Sequence, residues 1–312
     1  MSGPHREWAA EREVDATQAA ALVGTCFPAL RGQPVQPLAS GWDHTVHRVG
    51  QQWVFRFPRR AVALPGYVRE LDLLPRLGPR LPLPVPVPVW RAEPPGGWLF
   101  SGARMLPGRE LADAGLAGAA RMQVAQELGD FLRVLHDPAL VDSLGVELPV
   151  DPNVRADPRV RVPRVRAALA GLVAARVWPG PDGADVVDAV DAVLAEADGL
   201  GPPDGPPVLV HGDLHLRHVL VDDKGAVTGV IDWGDVCRGD ACLDLSLAYA
   251  AFTGPARRAF LSAYGAEVSR ERELRARVLA LFLCAALATY ALDEDRPVLL
   301  AESLRGLRRA AA

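Results

Sequence analysis

The chain has 312 residues, 49% of them apolar, and a formal net charge of −4 at pH 7. This length is enough for two modest domains or one two-lobed unit, and the apolar fraction is enough for a large core. The charge balance excludes the general basic field that nucleic-acid-binding proteins carry.

The four cysteines are scattered along the chain and lack the paired spacing that binds metal. They are predicted to be reduced thiols, which indicates a cytoplasmic protein. The first residues are polar and charged, so we predict no signal peptide. The longest apolar run, residues 278–292, is short for a membrane span and predicts a buried helix. We expect a monomer that binds neither membranes nor nucleic acid.

The first third of the chain predicts mainly strands and turns. A short helix is predicted at residues 15–30, and residues 45–49 and 53–57 predict an antiparallel hairpin. A second helix is predicted at residues 66–77, where Pro75 is expected to end or kink it.

A proline-rich segment at residues 82–88 predicts an extended connector or a sheet edge, because proline cannot donate to a strand ladder. Residues 98–105 predict one more strand. After this strand the pattern changes from strand-and-turn to helix. We therefore predict a first domain at residues 1–105 and a second at residues 106–312, with a hinge near residues 105–107.

The second domain is predicted to be mainly helical, from the apolar period and the helix-breaking residues. The predicted helices cover residues 119–136, two segments within 156–198, 241–251, 254–264, 270–292 and 296–310. The fold class is therefore α+β, with a small antiparallel sheet in the first domain and a hairpin embedded among the helices of the second.

That hairpin lies in residues 208–235, which read VLVHGDLHLRHVLVDDKGAVTGVIDWGD. Short apolar runs predict strands on both sides of an acidic, glycine-containing turn. Because a hairpin brings its outer ends together, we expect Asp213 and His218 to lie close to Asp232. Two carboxylates and an imidazole beside buried strands indicate a reaction centre.

Two reactions fit these residues. In phosphoryl transfer, Asp213 accepts a proton from the attacking hydroxyl or orients it, while His218 and Asp232 hold Mg²⁺ on nucleotide phosphates. Alternatively, the spacing H-x-D-x-H-x-x-H that begins at His211 supplies zinc ligands for hydrolysis. The zinc hypothesis leaves Asp232 and the first domain without a role. A third hypothesis is a nucleotide-binding module without catalysis.

The segments HGDLHLRHVLVD and GVIDWGD resemble the catalytic and metal-binding segments of the aminoglycoside phosphotransferase family, which has a protein-kinase-like fold. His218 stands where most members have asparagine, which is similar to the branch of aminoglycoside 2″-phosphotransferases and macrolide phosphotransferases. WVFRFPRR and LPLPVP also resemble that branch. The similarity covers about residues 36–250. It implies that residues 1–105 are a nucleotide-binding lobe and residues 106–312 a catalytic and substrate-binding lobe.

The resemblance also implies roles for individual residues. Asp213 is the expected catalytic aspartate, and His218 and Asp232 are the expected ligands of Mg²⁺. Two groups of the first lobe are expected to contact the ATP or GTP that donates the phosphoryl group. They are the loop residues Ser40 and Gly41 and the hinge residues Arg104, Met105 and Leu106.

The chain departs from the family pattern at two positions. Kinase-like folds pair a lysine on the third strand with a glutamate on the next helix, but Lys224 is the only lysine here. Arg56 is expected to replace that lysine, with Glu70 as its partner; the alternative is an exposed strand arginine. The second departure is His218. Because Mg²⁺ prefers oxygen ligands, this imidazole is expected to weaken metal binding, change the metal preference or act through a water.

The molecule that accepts the phosphoryl group is less well defined by the sequence. Asp235 is a candidate substrate-binding residue, and otherwise is expected either to assist Asp232 or to cap the next helix. Asp244 is expected to attach the loop to that helix. An acidic group that follows the longest C-terminal helix is expected to form either a lip for a polycationic substrate or a solvated loop. This group is Asp293, Glu294 and Asp295. The leading acceptor is a hydroxyl of an aminoglycoside-type antibiotic; the alternative is a macrolide or another hydroxylated metabolite.

Overall fold

The computed structural model describes residues 10–180 and 183–312. These residues divide into two compact units, and the chain passes from the first to the second between Leu106 and Pro107. The predicted first domain also includes residues 1–9, which lie outside the described residues.

The first unit is a sheet with two α-helices in its described part. Its elements are α1 (Ala16–Cys26), β1 (Val35–Ser40), β2 (His44–Val49), β3 (Trp53–Pro58), α2 (Leu64–Leu77), β4 (Pro88–Ala92) and β5 (Phe100–Arg104). The strands pair antiparallel in the order β1–β2–β3–β5–β4. The predicted hairpin is confirmed as β2 and β3, whose register runs from His44 opposite Pro58 to Val49 opposite Trp53.

Aromatic side chains form the core of this sheet. Phe55 and Phe57 lie on either side of Arg56 on β3 and are both buried, which is the period-2 spacing of side chains on one face of a strand. Phe57 stacks on Phe100 of β5 with ring centroids 4.9 Å apart. Phe55 packs on the backbone of Gly102, where an added Cβ would lie 2.5 Å from the Phe55 ring. The close pairing of β3 and β5 therefore requires glycine at position 102.

Two features of the first unit differ from the sequence predictions. Strand β1 was missed because it contains Pro37 and five of its six residues are exposed, so it has no apolar alternation. Pro75 was expected to end or kink α2, but the helix continues to Leu77. A proline this close to the C-terminal end of a helix removes only one backbone hydrogen bond.

The proline-rich segment is divided between the two units. Leu81–Pro84 belongs to the second unit, where the carbonyl of Pro84 accepts a 3.0 Å hydrogen bond from the N–H of Val230. From Val85 the chain belongs to the first unit and leads into β4, which is the last strand of the sheet order. Residues 82–87 are therefore the connector alternative, and only Pro88 belongs to the edge strand.

The second unit is mainly helical. Its elements are β6 (Arg109–Glu110), α3 (Gly118–Leu135), α4 (Pro138–Leu144), α5 (Pro158–Ala174), α6 (Ala184–Asp198), β7 (Val208–Val210), β8 (Val219–Val221), β9 (Val227–Val230), β10 (Cys237–Gly239), α7 (Cys242–Ala251), α8 (Gly254–Tyr264), α9 (Arg270–Asp293) and α10 (Pro297–Ala311). The predicted helices are confirmed to within a few residues. Helix α4 was missed. Asp137 and Pro138 were expected to end a helix, but they also begin a new one. The side chain of Asp137 caps α4 by accepting from the N–H of Ala139 at 2.9 Å.

Helix α9 is the central helix of this unit. Within the described part of the chain it is the one helix long and apolar enough to cross a membrane, with a mean hydropathy of 1.6. However, 61% of that apolar window is buried inside the structure, and core helices of globular proteins pass the same test.

The crossing of α3 and α8 depends on one glycine. An added Cβ at Gly129 would lie 2.3 Å from the carbonyl oxygen of Phe260 and 3.0 Å from the backbone nitrogen of Tyr264. We expect Gly129→Ala to lower the free energy of unfolding by about 1–3 kcal/mol, because the two helix backbones must move apart. Urea unfolding measures this change.

Gly171, in the last turn of α5, is the matched control, because nothing lies within 4 Å of the position that an added Cβ would take there. Alanine favours a helix over glycine by about 1 kcal/mol, so Gly171→Ala is expected to stabilise the protein slightly. A Gly129→Ala protein as stable as Gly171→Ala would contradict the close backbone contact.

Helix α10 is held by a buried carboxylate, Glu302, which accepts hydrogen bonds from Arg121 of α3 and from Arg309, both at 2.7 Å. Burial alone would raise the pKa of Glu302, but these two guanidinium groups outweigh it and lower the pKa below 4.5. The folded state therefore binds this proton less readily than the unfolded chain. The stabilisation that the ionised Glu302 contributes is present above about pH 4.5, and it is lost as the pH falls through the lower pKa that Glu302 has in the folded state.

We therefore expect Glu302→Gln to destabilise the protein at pH 7 by about 1–3 kcal/mol, with a smaller difference from the wild type below pH 4.5. Urea unfolding at pH 7 and pH 4 measures both values. Glu196→Gln is the control, because Glu196 pairs with Arg270 on the surface, and little change is expected there. A difference between wild type and Glu302→Gln that is independent of pH would contradict the assignment.

Candidate active site

Two strand pairings bring the loops of residues 208–235 together. Strands β8 and β9 form the predicted hairpin, with Val219 opposite Val230. The first strand of this segment, β7, instead pairs antiparallel with β10, with Val210 opposite Cys237. The loop from β7 to β8 and the loop from β9 to β10 therefore both connect the same two strand pairs, and they lie side by side at the ends of those pairs.

His218 is the residue at which these two loops meet. The N–H of Ile231 donates to the carbonyl of His218 at 2.9 Å and extends the hairpin by one step. The Nε2 atom of His218 lies 3.3 Å from Oδ2 of Asp232, and its Nδ1 atom lies 3.7 Å from Oδ2 of Asp213. The structure thus brings together the three residues that the sequence predicted to converge.

The tautomer of His218 follows from its backbone contact. Its Nδ1 atom lies 2.8 Å from the carbonyl oxygen of Asp213, which only accepts, so Nδ1 carries the proton. In the neutral ring Nε2 then has a lone pair, and this atom faces Asp232. A carbonyl that fixes one ring nitrogen in this way is the usual support of a metal-ligating histidine.

Two residues of these loops have left-handed backbone conformations. Asp232 has φ of +66°, which costs a residue with a Cβ roughly 1–2 kcal/mol. Gly212 has φ of +85°, and an added Cβ there would lie 2.4 Å from the carbonyl oxygen of Asp235. Such strain is concentrated at functional sites, where the surroundings hold it in place. The position before Asp213 therefore requires glycine.

The buried carboxylate of Asp244, at the start of α7, holds the backbone before Asp213. It accepts hydrogen bonds from the N–H groups of His211 and Gly212 at 2.8 and 2.9 Å and contacts Nε2 of His136 at 3.1 Å. Burial alone would raise the pKa of Asp244, but these hydrogen bonds outweigh it and lower the pKa. The expectation that Asp244 attaches the loop to the helix is confirmed.

His211 and His215 have different surroundings. His211 is buried, its Nε2 donates to the carbonyl of Ile231 at 3.0 Å, and its Nδ1 accepts from the N–H of Asp213 at 3.3 Å. Burial lowers the pKa of His211, which keeps the ring neutral. His215 stacks on His218 with ring centroids 3.7 Å apart, and its Nε2 atom lies 3.7 Å from Oδ2 of Asp213.

Arg155 is a residue of this site that sequence reasoning missed. Its buried guanidinium donates to the carbonyl of Gly212 and to Oδ1 of Asp235, both at 2.9 Å, and also contacts Asp151. Burial would lower the pKa of Arg155, but Asp235 and the other acidic groups around the guanidinium together outweigh it and raise the pKa. Arg155 therefore links the loop before Asp213 to the loop after Asp232. No short motif around position 155 signals this contact, which joins residues far apart in the sequence.

Within the first unit, the expected pair of Arg56 and Glu70 is formed. The Arg56 guanidinium donates to Glu70, whose side chain is fully buried, and lies over the ring of Tyr67 at 5.1 Å. The hydroxyl of Tyr67 donates to the carbonyl of Arg56 at 3.1 Å, and burial raises the pKa of Tyr67 to about 12. The side chain of Arg56 is thus fixed by its contacts with Glu70 and Tyr67, and the alternative of an exposed strand arginine is wrong.

The other predicted nucleotide-contacting residues lie at strand ends of the first unit. Ser40 ends β1, and the N–H of Gly41 donates to the carbonyl of His44 at 2.9 Å. Arg104 ends β5 and lies over the ring of Trp53 at 5.1 Å. The N–H of Met105 donates to the carbonyl of Gln52 at 2.8 Å, and Leu106 is the last residue of the unit.

The predicted acceptor-binding residues lie in two places. Asp235 is bound by Arg155 and is half-exposed. The acidic group formed by Asp293, Glu294 and Asp295 is exposed at the C-terminal end of α9. The next residue, Arg296, pairs with Glu110 at 3.3 Å, and Glu110 also binds Arg217, which precedes His218, at 3.0 Å. One line of ion pairs therefore connects the end of α9 to the loop that carries Asp213.

The donor atoms around Asp232 fit a divalent metal in part. The Asp232 carboxylate supplies the oxygen that Mg²⁺ prefers. His218 supplies a nitrogen lone pair 3.3 Å from that carboxylate, and imidazole suits Zn²⁺ better than Mg²⁺. Asp232 is therefore the residue that fits Mg²⁺.

Residues 34–281 match the family model of the phosphotransferase enzyme family. This match spans most of the chain, and the chain belongs to that family. A 39-residue stretch is also 46% identical to an uncharacterised protein, YcbJ, of Bacillus subtilis strain 168. That stretch covers 12% of this chain and 13% of the length of that relative.

Solved structures of antibiotic kinases share the fold. Aminoglycoside 2'-phosphotransferase-IIIa in complex with GDP is 22% identical, with a TM-score of 0.68 over 95% of this chain and 98% of its own. A macrolide 2'-phosphotransferase from Brachybacterium faecium is 26% identical, with a TM-score of 0.57 over 92% of this chain and 97% of its own. The predicted kinase-like α+β fold and the resemblance to this family are confirmed.

The link formed by Arg155 is testable. We expect Arg155→Lys to lower kcat by about tenfold, since an ammonium cannot reach both Gly212 and Asp235, with a smaller change in the KM for nucleotide. Steady-state kinetics measure both values. Arg159→Lys is the control, because Arg159 is an exposed arginine that pairs with Asp157. Equal kinetics in the two variants would contradict a role for Arg155.

Proposed function

We propose that this protein transfers the γ-phosphoryl group of ATP or GTP to a hydroxyl of a small molecule, and that the leading acceptor is an aminoglycoside-type antibiotic. The observation that carries this proposal is the approach of Asp213 and Asp232 to the same imidazole, at 3.7 and 3.3 Å from His218. Phosphoryl transfer requires one carboxylate at the attacking hydroxyl and another at the metal-bound phosphates. Membership of the phosphotransferase enzyme family favours this reaction over zinc-dependent hydrolysis.

Asp213 is the proposed catalytic residue. Its side chain is 31% exposed, so an acceptor hydroxyl can reach it. Its backbone is held through Gly212, whose N–H binds Asp244 and whose carbonyl binds Arg155. In the proposed reaction the Asp213 carboxylate accepts the proton of the attacking hydroxyl or orients that hydroxyl, and its fixed position supplies the orientation on which this catalysis depends.

Asp232 is the proposed Mg²⁺ ligand. Bound Mg²⁺ would supply positive charge to the transferred phosphoryl group. The half-exposed carboxylate of Asp232 would hold the ion through an oxygen. His218 would then add a nitrogen ligand or act through a water, since its Nε2 atom lies 3.3 Å from that carboxylate.

Residues of the first unit are proposed to bind the nucleotide. Arg56 would bind phosphate oxygens through its guanidinium fork, in a direction fixed by Glu70 and Tyr67. Ser40 and Gly41 would approach the phosphates at the end of β1. The backbone of Arg104, Met105 and Leu106 would contact the base.

Aminoglycosides are the leading acceptors because exposed carboxylates suit their amino groups. The acidic group Asp293, Glu294 and Asp295 is proposed to bind these amines, and Asp235 is a further candidate. The ion pairs from Arg296 through Glu110 to Arg217 connect this group to the loop that carries Asp213. One related structure was solved with GDP and kanamycin.

A macrolide is the second candidate acceptor. It is favoured by the 26% identity to a macrolide 2'-phosphotransferase. The proposal also includes a monomeric enzyme and a cytoplasmic location, and the free cysteines support the location.

Substitution of the two carboxylates tests the mechanism. Asp213→Asn is expected to lower kcat by about 10²–10⁴-fold with nucleotide affinity retained, because only the contact with the acceptor hydroxyl is lost. Asp232→Asn is expected to weaken Mg²⁺-nucleotide binding more than acceptor binding. A coupled assay of nucleotide consumption and titration calorimetry measure these effects. Asp223→Asn, in the exposed hairpin turn, is the matched control, and undiminished turnover of Asp213→Asn would remove the mechanism.

The acceptor is tested by a nucleotide-consumption screen with ATP and GTP in parallel against aminoglycosides, macrolides and simple amino alcohols. Consumption that depends on an antibiotic, followed by mass spectrometry of the phosphorylated product, is the expected result. Consumption with amino alcohols alone would replace the antibiotic by a metabolite. Nucleotide binding without transfer to any acceptor would favour the non-catalytic binding module.

A further inference from the structure

A second metal-binding arrangement lies beside Asp232, within the loop between β7 and β8. Asp213, His215 and His218 each offer one ligand atom, and these atoms all lie within 4.8 Å of one another. The Nε2 atom of His215 is 3.7 Å from Oδ2 of Asp213. Ligand atoms on one zinc ion are about 3–4 Å apart, so a small side-chain movement completes a three-ligand site.

We propose that Asp213, His215 and His218 bind Zn²⁺, and that the bound ion inhibits phosphoryl transfer because it occupies the carboxylate that must meet the acceptor hydroxyl. Binding of the ion is independent of the proposed function, whereas inhibition rests on it. The site would make the enzyme sensitive to the ratio of zinc to magnesium.

The donor set selects the metal. Two imidazoles and one carboxylate are ligands of the kind that hold zinc, with an open fourth position. Mg²⁺ favours oxygen ligands and is held weakly by imidazole. The carboxylate of Asp232, 3.3 Å from Nε2 of His218, is within reach of that fourth position.

The orientation of His218 supports the site. Its Nδ1–H donates to the carbonyl of Asp213 at 2.8 Å, which leaves Nε2 as the metal-binding atom, and hydrogen bonds of this kind orient histidine ligands. The His215 ring is stacked on His218 at 3.7 Å, so the two imidazoles are already adjacent before any metal binds.

His215 requires one change in its hydrogen bonding. Its Nδ1 atom accepts from the N–H of Arg217 at 3.3 Å, so in the neutral ring the proton is on Nε2. Binding of Zn²⁺ through Nε2 requires the other neutral tautomer, in which the same proton is on Nδ1, and this disrupts that one long hydrogen bond.

Substitution of His215 tests the zinc site separately from the transfer reaction, since the proposed mechanism gives His215 no role. His215→Asn removes one of three ligands but retains Asp213, His218 and Asp232. This variant is expected to keep its turnover in the absence of zinc. Wild-type turnover is expected to fall as Zn²⁺ is added in excess of chelator, whereas the His215→Asn protein resists the same free Zn²⁺ concentration.

The experiment titrates Zn²⁺ into metal-free protein by calorimetry, without nucleotide or acceptor, and repeats the titration with Co²⁺ by visible spectroscopy. The wild type is expected to bind one ion, and a tetrahedral Co²⁺ spectrum reports the site directly. His215→Asn is expected to bind about 100-fold more weakly. Asp223→Asn, which removes an exposed carboxylate from the hairpin turn, is the matched control and is expected to bind as the wild type does.

Two results would overturn the proposal: no stoichiometric binding to the wild type, or equal affinity of the wild type and His215→Asn. Thermal melting of His215→Asn verifies that it is folded. Zinc binding that depends on His215 in a protein without transferase activity would uphold the site and refute the proposed function. Inhibition that is equal in the wild type and His215→Asn would refute the inhibitory role alone.

Discussion

The two N–H groups that His211 and Gly212 donate to the buried carboxylate of Asp244 are the contact on which the candidate active site depends. They fix the backbone immediately before Asp213, at a glycine whose positive φ and close approach to Asp235 exclude a side chain. The carbonyl of Asp213 in turn fixes the ring of His218. The orientation of the proposed metal-binding nitrogen therefore follows, through a short series of backbone contacts, from one carboxylate at the start of α7.

Arginine side chains make the main ionic contacts within both units of this chain, which contains a single lysine. Arg56 pairs with the buried Glu70 in the first unit, and Arg155 joins the two loops of the second. A guanidinium presents several donors in a fixed plane, so it can bind two acceptors at once, which an ammonium does less well. This property explains how Arg155 can bind the Gly212 carbonyl and the Asp235 side chain together.

Much of the fold was predictable because its signals are local. The apolar periods of the helices and the Asp-Asp-Lys-Gly turn predicted elements that the structure confirms, and the hairpin predicted the meeting of Asp213, His218 and Asp232. The missed features are long-range or lack a pattern. Strand β1 is mostly exposed, and the contacts of Arg155 connect positions 80 residues apart. The pairing of β7 with β10 was also missed, because three-residue strands carry too little pattern to specify a partner.

The central claim is that Asp213 and Asp232 act at one metal-bound nucleotide, with His218 between them. Anomalous diffraction from crystals grown with Mn²⁺ and a non-hydrolysable ATP or GTP analogue tests it most directly. The account predicts a Mn²⁺ peak about 2 Å from a carboxylate oxygen of Asp232 and next to the terminal phosphate, with the Asp213 carboxylate facing that phosphate. A Mn²⁺ ion bound to the nucleotide but away from Asp232, or an Asp213 side chain turned away from the phosphate, would contradict it.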